Sequence, residues 1–231
     1  MRHIPYKVWC KYIEGLFSKY QHRDLVSHLD LGTGTGQLLC HSKARRRVGL
    51  DISEEMLSVA DSKSRDILWV QGDWSGWDTE DLFDLVTSTN TGLNYISTTT
   101  DLEKHFRKIK TYLSQGGIYF FDITSETNLM ENFDGIHIKE THGEIKLEWT
   151  NEYDSKKRIL NSKLSFHHRV HGKIGTEEHR LWYYTPETIL SVLEKSGFDV
   201  LEIGGDYSSK LPKDPDLITF CIKNKNRQRA S

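Results

Sequence analysis

The 231-residue sequence has little cysteine, little proline and no long hydrophobic run. Its three cysteines, Cys10, Cys40 and Cys221, are odd in number and share no metal-type spacing. A disulfide framework is therefore not expected, and a reducing compartment fits. No window approaches the ~18 consecutive apolar residues of a membrane span. The opening MRHIPYKVWCKYIEG lacks an apolar signal core and a small-residue cleavage site. The expectation is a cytoplasmic protein without membrane contact. An excess of one charge is also missing: 31 Lys and Arg stand against 33 Asp and Glu, a net of −2. That excludes the simplest electrostatic nucleic-acid binder, and no nucleic-acid partner is expected. No His/Cys/Asp set has metal-ligand spacing, so no metal is expected either.

Aromatics are plentiful. Six Trp, ten Tyr and nine Phe argue against disorder, and the length suffices for one large core or one domain with an insertion. Apolar residues Val8, Trp9, Tyr12, Ile13, Leu16, Phe17 and Tyr20 recur at three- and four-residue steps, which predicts a helix over 5–20. Short apolar runs at 26–31, 48–50, 67–70, 83–86 and 118–123 read as strands. Helices are predicted from Ser53 and over 102–113. Strands alternating with helices imply a parallel sheet covered on both faces. The pattern breaks over 135–184, where alternating stretches separated by turn residues predict an antiparallel meander. It resumes at Thr185-Pro186-Glu187, a helix start with Pro at its first position, and that helix ends at Gly197. Strands at 199–203 and 217–222 follow, then a basic, fraying tail.

The stretch Leu29-Asp30-Leu31-Gly32-Thr33-Gly34-Thr35-Gly36 carries the chemistry. A strand runs into three alternating glycines, and a helix is expected behind them with amides exposed toward a polar or anionic ligand group. Asp51 ends the next strand, where a carboxylate can accept both hydroxyls of a ribose. The spacing G-x-G-x-G differs from the G-x-G-x-x-G of dinucleotide dehydrogenases. It suits a ligand with an amino-acid end, and a bare strand–helix turn is the alternative.

With these residues in place, the sequence resembles the class I S-adenosylmethionine-dependent methyltransferases along nearly its whole length. LDLGTGTG is similar to that family's first motif and VGLDIS with EEML to its second. VQGDWS, FDLVTSTNTGLNYI and LSQGGIYFFDI resemble the stretches at the third, fourth and fifth strands. PYKVWCKYIE, LNYI and EEHRLWYYTPETI point to small bacterial methyltransferases related to sugar-amine and glycine-type N-methyltransferases. The resemblance implies an α/β fold: a doubly wound, Rossmann-like seven-stranded sheet with the last strand antiparallel and an inserted antiparallel β meander. The expected division is a cofactor-binding part over 1–125 and 185–223, a substrate-side insertion over 126–184, and the tail 224–231.

The resemblance implies S-adenosyl-L-methionine as cofactor. Gly32, Thr33, Gly34 and Gly36 would let its methionine end lie along the loop, and Asp30 would accept from the ammonium or simply cap the turn. Asp51 would take the ribose, with Ile52 and Met56 beside it. Asp73 would face the adenine amino group, with Trp74 packing at the ring or in the core. Thr89 would lie near the methyl. Tyr6 and Trp9 would cover the methionine part or only pack their helix down. Asn90, Asn94, Tyr95 and His179 are candidates for the acceptor side, with Asn90, Tyr95 and His179 as catalytic candidates. The run Lys43–Arg47 reads as a solvated helix end or a contact for an acidic substrate. No strong base stands out, which favours nitrogen over oxygen as the methyl acceptor. The expected protein is a monomer or homodimer that methylates a small molecule. Methylation of tRNA or protein, a nucleotide-binding oxidoreductase, and a catalytically silent cofactor binder stay as alternatives.

Overall fold

The computed structural model describes residues 4–225. The elements, in order, are α1 (Tyr6–Gln21), β1 (Ser27–Leu31), β2 (Arg46–Asp51), α2 (Glu54–Lys63), β3 (Leu68–Gln71), β4 (Phe83–Ser88), α3 (Thr99–Tyr112) and β5 (Leu113–Thr124). A single helical turn, α4 (Glu126–Asn128), then leads to β6 (His137–His142), β7 (Ile145–Asp154), β8 (Ile159–His168) and β9 (Gly172–Trp182). The chain closes with α5 (Pro186–Ser196), β10 (Phe198–Gly205) and β11 (Leu217–Asn224). Most of the expected basic tail, 226–231, lies outside the described residues.

Seven strands form one sheet in the order β10-β11-β5-β4-β1-β2-β3. The last strand, β11, runs antiparallel to both neighbours, and the pairings of β1 through β5 are parallel. This is the α/β, Rossmann-like architecture expected, with the expected antiparallel last strand. Strand alternation splits β5 between two cores. Tyr119, Phe121 and Ile123 face the larger one, shared with α3 and α5. Ile118 and Phe120 face the smaller one, beneath α1.

The inserted segment is a four-stranded antiparallel sheet, β6-β7-β8-β9. Tyr153, Leu160 and Leu129 bind its near end to the turn after β5. One buried side chain ties its return to the main sheet: Asn94 Nδ2 donates to the Trp182 carbonyl (2.8 Å), while Asn94 Oδ1 accepts from the Thr124 amide (3.0 Å). Asn94 is therefore committed at both ends, in a structural role.

Two local expectations are corrected. No α-helix follows the glycine loop. The chain makes only a 3-10 turn at Leu39–His41 before re-entering the sheet at Arg46. Accordingly, the basic run is not a helix end. Arg46 and Arg47 are the first residues of β2, where Arg46 Nη1 meets Asp81 Oδ1 (2.7 Å) and Arg47 pairs with Asp66.

Candidate active site

The loops leaving the C-terminal ends of β1, β2 and β4 gather on one edge of the parallel sheet, the edge where open α/β sheets bind ligands. The glycine loop is locked from beneath. Gly32 and Thr33 both donate to the Leu50 carbonyl (2.8 and 3.0 Å), and Gly34 donates to Asp51 Oδ2 (2.7 Å). The first amides of the loop are thus spent inside the protein, not offered to an anion. Space remains on the other side. A Cβ placed on Gly32 or Gly34 would meet nothing within 4 Å, whereas one on Gly36 would run into the Trp69 ring. Gly36 is needed for packing, and the open surface belongs to Gly32 and Gly34.

Asp51 also accepts from the Ser53 amide through Oδ1 (3.0 Å), and Ser53 Oγ caps α2 at Met56 N–H (3.2 Å). Each of its oxygens keeps acceptor capacity beyond these bonds. Beside it, Ile52 is 71% and Met56 46% exposed, apolar surface left open next to a carboxylate. Asp73, across the gap, is exposed and turns its carboxylate onto Ser75, accepting at 2.9 Å from both the amide and the hydroxyl. Trp74 packs edge-on against the buried His105 (4.5 Å between centroids), so much of its ring belongs to the core.

Asp30 lies 2% exposed at the base of the loop, and Thr87 Oγ1 donates to its Oδ1 (2.6 Å). Burial pushes its carboxyl up to about 6, and the Asp51 charge adds to that rise. After β4, Thr89 is buried, and Asn90 and Thr91 both take left-handed backbone (φ 59° and 65°). This strain is held by Asp122, fully buried on β5, which accepts from the Asn90 and Thr91 amides (2.8 and 2.6 Å) and from the Tyr207 hydroxyl (2.5 Å). Tyr207 in turn stacks on Trp9 (3.8 Å, 4° between planes), and Tyr6 lies edge-on to Trp9. Burial, then Asp30 and Asp122, raise the Tyr6 phenol. Trp9 is a core residue, and Tyr6 is the half-buried aromatic at the site.

On the opposite side of the β4 loop, Tyr95 and His179 meet. The Tyr95 hydroxyl lies 3.2 Å from His179 Nδ1, and His179 Nε2 lies 3.4 Å from Glu177 Oε2. Burial and the Glu177 charge raise the Tyr95 phenol. The paired row Asn151–Ser162–His179 shares this face of the second sheet. The side chains of Lys163, Glu178 and Arg180 project from the other face, where Lys163 and Glu178 pair with each other (3.4 Å). Among the described residues no group of three or more His, Cys, Asp or Glu could hold a metal ion.

Residues 29–117, the glycine loop and the first five strands up to Gly117, match the methyltransferase domain family. A protein of Geobacillus sp. (strain WCH70) named "Putative methyltransferase" is 26% identical, with 97% of this chain and 95% of that protein aligned. An S-adenosylmethionine-dependent methyltransferase from Clostridium acetobutylicum ATCC 824 superposes with a TM-score of 0.83 at 28% identity, covering 96% of this chain and 93% of that one. The sugar N-methyltransferase KedS8 from Streptoalloteichus sp ATCC 53650 shares the fold, with a TM-score of 0.76 at 18% identity, covering 97% and 90%. A methyltransferase domain thus matches residues 29–117 of this chain, within a fold shared with S-adenosylmethionine-dependent methyltransferases.

Within this chain, the structure brings together Asp30, Gly32, Gly34, Asp51, Ile52 and Met56 on one side, and Tyr95 with His179 on the other. Asn90 contributes its backbone amide to Asp122, and its side chain is exposed. Sequence reasoning missed Glu177, Asp122 and Tyr207. Glu177 stands two residues before His179 on a strand, hence on the same face. Asp122 is the one charge inside an apolar strand. Tyr207 follows no pattern that its local sequence could reveal.

Proposed function

We propose that this methyltransferase transfers a methyl group from S-adenosylmethionine to the nitrogen of a small-molecule acceptor held between the β4 loop and the second sheet. The residues fit the cofactor. Gly32 and Gly34 leave open space, Asp30 offers a buried carboxylate for an ammonium, Asp51 keeps acceptor capacity for a ribose, and Ile52 with Met56 leaves apolar surface for a purine. Thr33 and Thr89 line the same loops, and Asp73 with Trp74 forms the far wall. When bound, S-adenosylmethionine supplies a methyl group activated on a sulfonium. The protein's own task is to align, desolvate and manage a proton.

The observation that carries the acceptor side is the Tyr95–His179–Glu177 contact. With Glu177 accepting from His179 Nε2–H, His179 Nδ1 is the free lone pair that receives the Tyr95 proton. The Tyr95 oxygen is then able to take a proton from an amine acceptor as its own passes to Nδ1, and Glu177 balances the imidazolium formed. The Tyr95–His179–Glu177 relay would serve an amine or a hydroxyl acceptor alike, and the sugar N-methyltransferase among the fold relatives favours a small polar amine. The cytoplasm is the compartment proposed for it.

Incubation of the purified protein with methyl-labelled S-adenosylmethionine and fractionated cell extract tests this reading. Label is expected in the small-molecule fraction, on nitrogen. Label in RNA or protein would replace the acceptor class, and binding without transfer to any fraction would favour a silent cofactor binder.

A further inference from the structure

A line of polar groups leads away from Asp30 through the protein interior. Thr87 Oγ1 contacts Asp30 Oδ1 (2.6 Å), His28 Nε2 contacts Thr87 Oγ1 (2.8 Å), His28 Nδ1 contacts Ser42 Oγ (2.9 Å), and Ser42 Oγ contacts Glu14 Oε1 (3.1 Å). Thr87, His28, Asp30 and Ser42 are 0%, 1%, 2% and 7% exposed, so water does not complete the line from within. Glu14 closes it on α1, where it also accepts from the Lys43 amide (2.7 Å).

The hydrogens can be counted. Four contacts need four hydrogens. With both carboxylates ionised and His28 neutral, the two hydroxyls and one ring N–H supply only three. We infer that the five groups form a relay one hydrogen short, in which the charge state of Asp30 sets the tautomer of His28 and the direction of the Ser42 hydroxyl. When Asp30 is ionised, Thr87 donates to it, His28 donates to Thr87 from Nε2, and Nδ1 takes the Ser42 hydrogen, leaving Glu14 without it. When Asp30 carries a proton, those three bonds reverse and the fourth forms. Asp30 donates to Thr87, Thr87 to His28 Nε2, His28 Nδ1–H to Ser42, and Ser42 to Glu14. The fourth hydrogen then completes the line.

Burial decides where that hydrogen resides. It pushes Asp30 up to about 6 and His28 down to about 3, with Arg47 also opposing an imidazolium. The other titratable groups facing Asp30 are Asp51 on β2, Tyr6 and Cys10 on α1, Tyr119 on β5 and Tyr207 before β11. The tyrosines and the cysteine are all raised, so they stay neutral through this range, and Cys10 also meets Glu14. Resting on the proposed function, a cofactor ammonium at Asp30 favours the ionised form and drives the proton out. Thr87 and His28 are thereby positioning residues for Asp30, and loading of the site is communicated to the contact between Ser42 and α1.

The test uses the full chain labelled with 15N and reads the His28 ring nitrogens, assigned by their loss in His28→Gln. Without ligand, lowering the pH from about 8 to about 5 is expected to move the ring hydrogen from Nε2 to Nδ1, with a midpoint near 6. Thr87→Val should abolish the step and Thr87→Ser restore it. Adding S-adenosylhomocysteine below the midpoint should return the hydrogen to Nε2, and calorimetry in two buffers of different ionisation heat should show proton release. A single tautomer over the whole range, or a doubly protonated ring near pH 6, overturns the relay whatever the ligand does. A pH step with no heat of ligand binding supports the relay and instead removes the cofactor reading.

Discussion

The Tyr95 hydroxyl, the His179 ring and the Glu177 carboxylate share one line of contacts at the proposed acceptor side, and each has a different expected loss. His179→Asn is expected to lower kcat by roughly 10²-fold while leaving S-adenosylhomocysteine affinity unchanged in a calorimetric titration. Glu177→Gln keeps the contact but not the charge, so its kcat should fall less. Equal loss of kcat and cofactor affinity in His179→Asn would argue for a structural role. On the cofactor side, Asp51→Asn replaces an ionised acceptor of the Gly34 and Ser53 amides, a kind of bond worth about 1.5–3 kcal/mol. Cofactor binding is expected to weaken tenfold or more, and undiminished affinity would remove Asp51 from the site. Legibility at this scale followed the chemistry. Asp30 and Asp51 were readable as strand-end carboxylates and the glycines as a turn, because strand ends and turns restrict which residues can stand there. The Tyr95–His179 contact was not readable as a pair, because it joins positions 84 residues apart through a sheet whose placement the local pattern does not encode.

Among the elements, the strands of the main sheet were legible from short apolar runs and those of the second sheet from alternation and turns, except that β9 starts at Gly172, where the sequence reads as a turn. α5 was legible from its caps: Thr185 Oγ1 accepts from Thr188 N–H, and Gly197 closes it with left-handed backbone. The start of α3 was read three residues late. Thr98 caps it by accepting from Asp101 N–H (3.1 Å), a signal hidden in a polar run of threonines. The helix expected after the glycine loop failed because the segment before Arg46 is too short and too basic to build an apolar face. β5 carries the sheet's load on both faces. Phe121→Ala should cost about 3–5 kcal/mol in denaturant unfolding, since its ring stacks on Phe220 (5.1 Å) inside the larger core. Asn94→Ala leaves the Thr124 amide without its acceptor in a buried place, a loss of about 1–3 kcal/mol. If its stability matches wild type, the tie between the two sheets is dispensable.

For the whole molecule, buried titratable groups act against one another. Asp30 and Asp122 are each raised from 3.8 to about 6 by burial. Their contribution to stability is complete below the unfolded value and is lost as pH rises through 6. His28 and His105 are each lowered from 6.5 to about 3 by burial. Their contribution is complete above the unfolded value and is lost as pH falls below it. Between about 4.5 and 6 the two pairs oppose each other, so stability should be nearly flat. Asp122→Asn removes one member of the first pair, and its unfolding midpoint is expected to climb with pH across the same interval. A slope identical to wild type would show that Asp122 is ionised throughout.

The second sheet leaves the main one at Thr124 and comes back at Trp182, and a single amide, that of Asn94, spans both crossings. Entrance and exit are therefore neighbours, like the two posts of one gate. A different sheet could be grafted there without rethreading the parallel strands or disturbing Asp30 and Asp51. On the proposed reading, such an architecture would let choice of acceptor diverge in evolution while the methyl-donor half is inherited intact, and residues 125–182 would be the segment to exchange when a new acceptor is wanted.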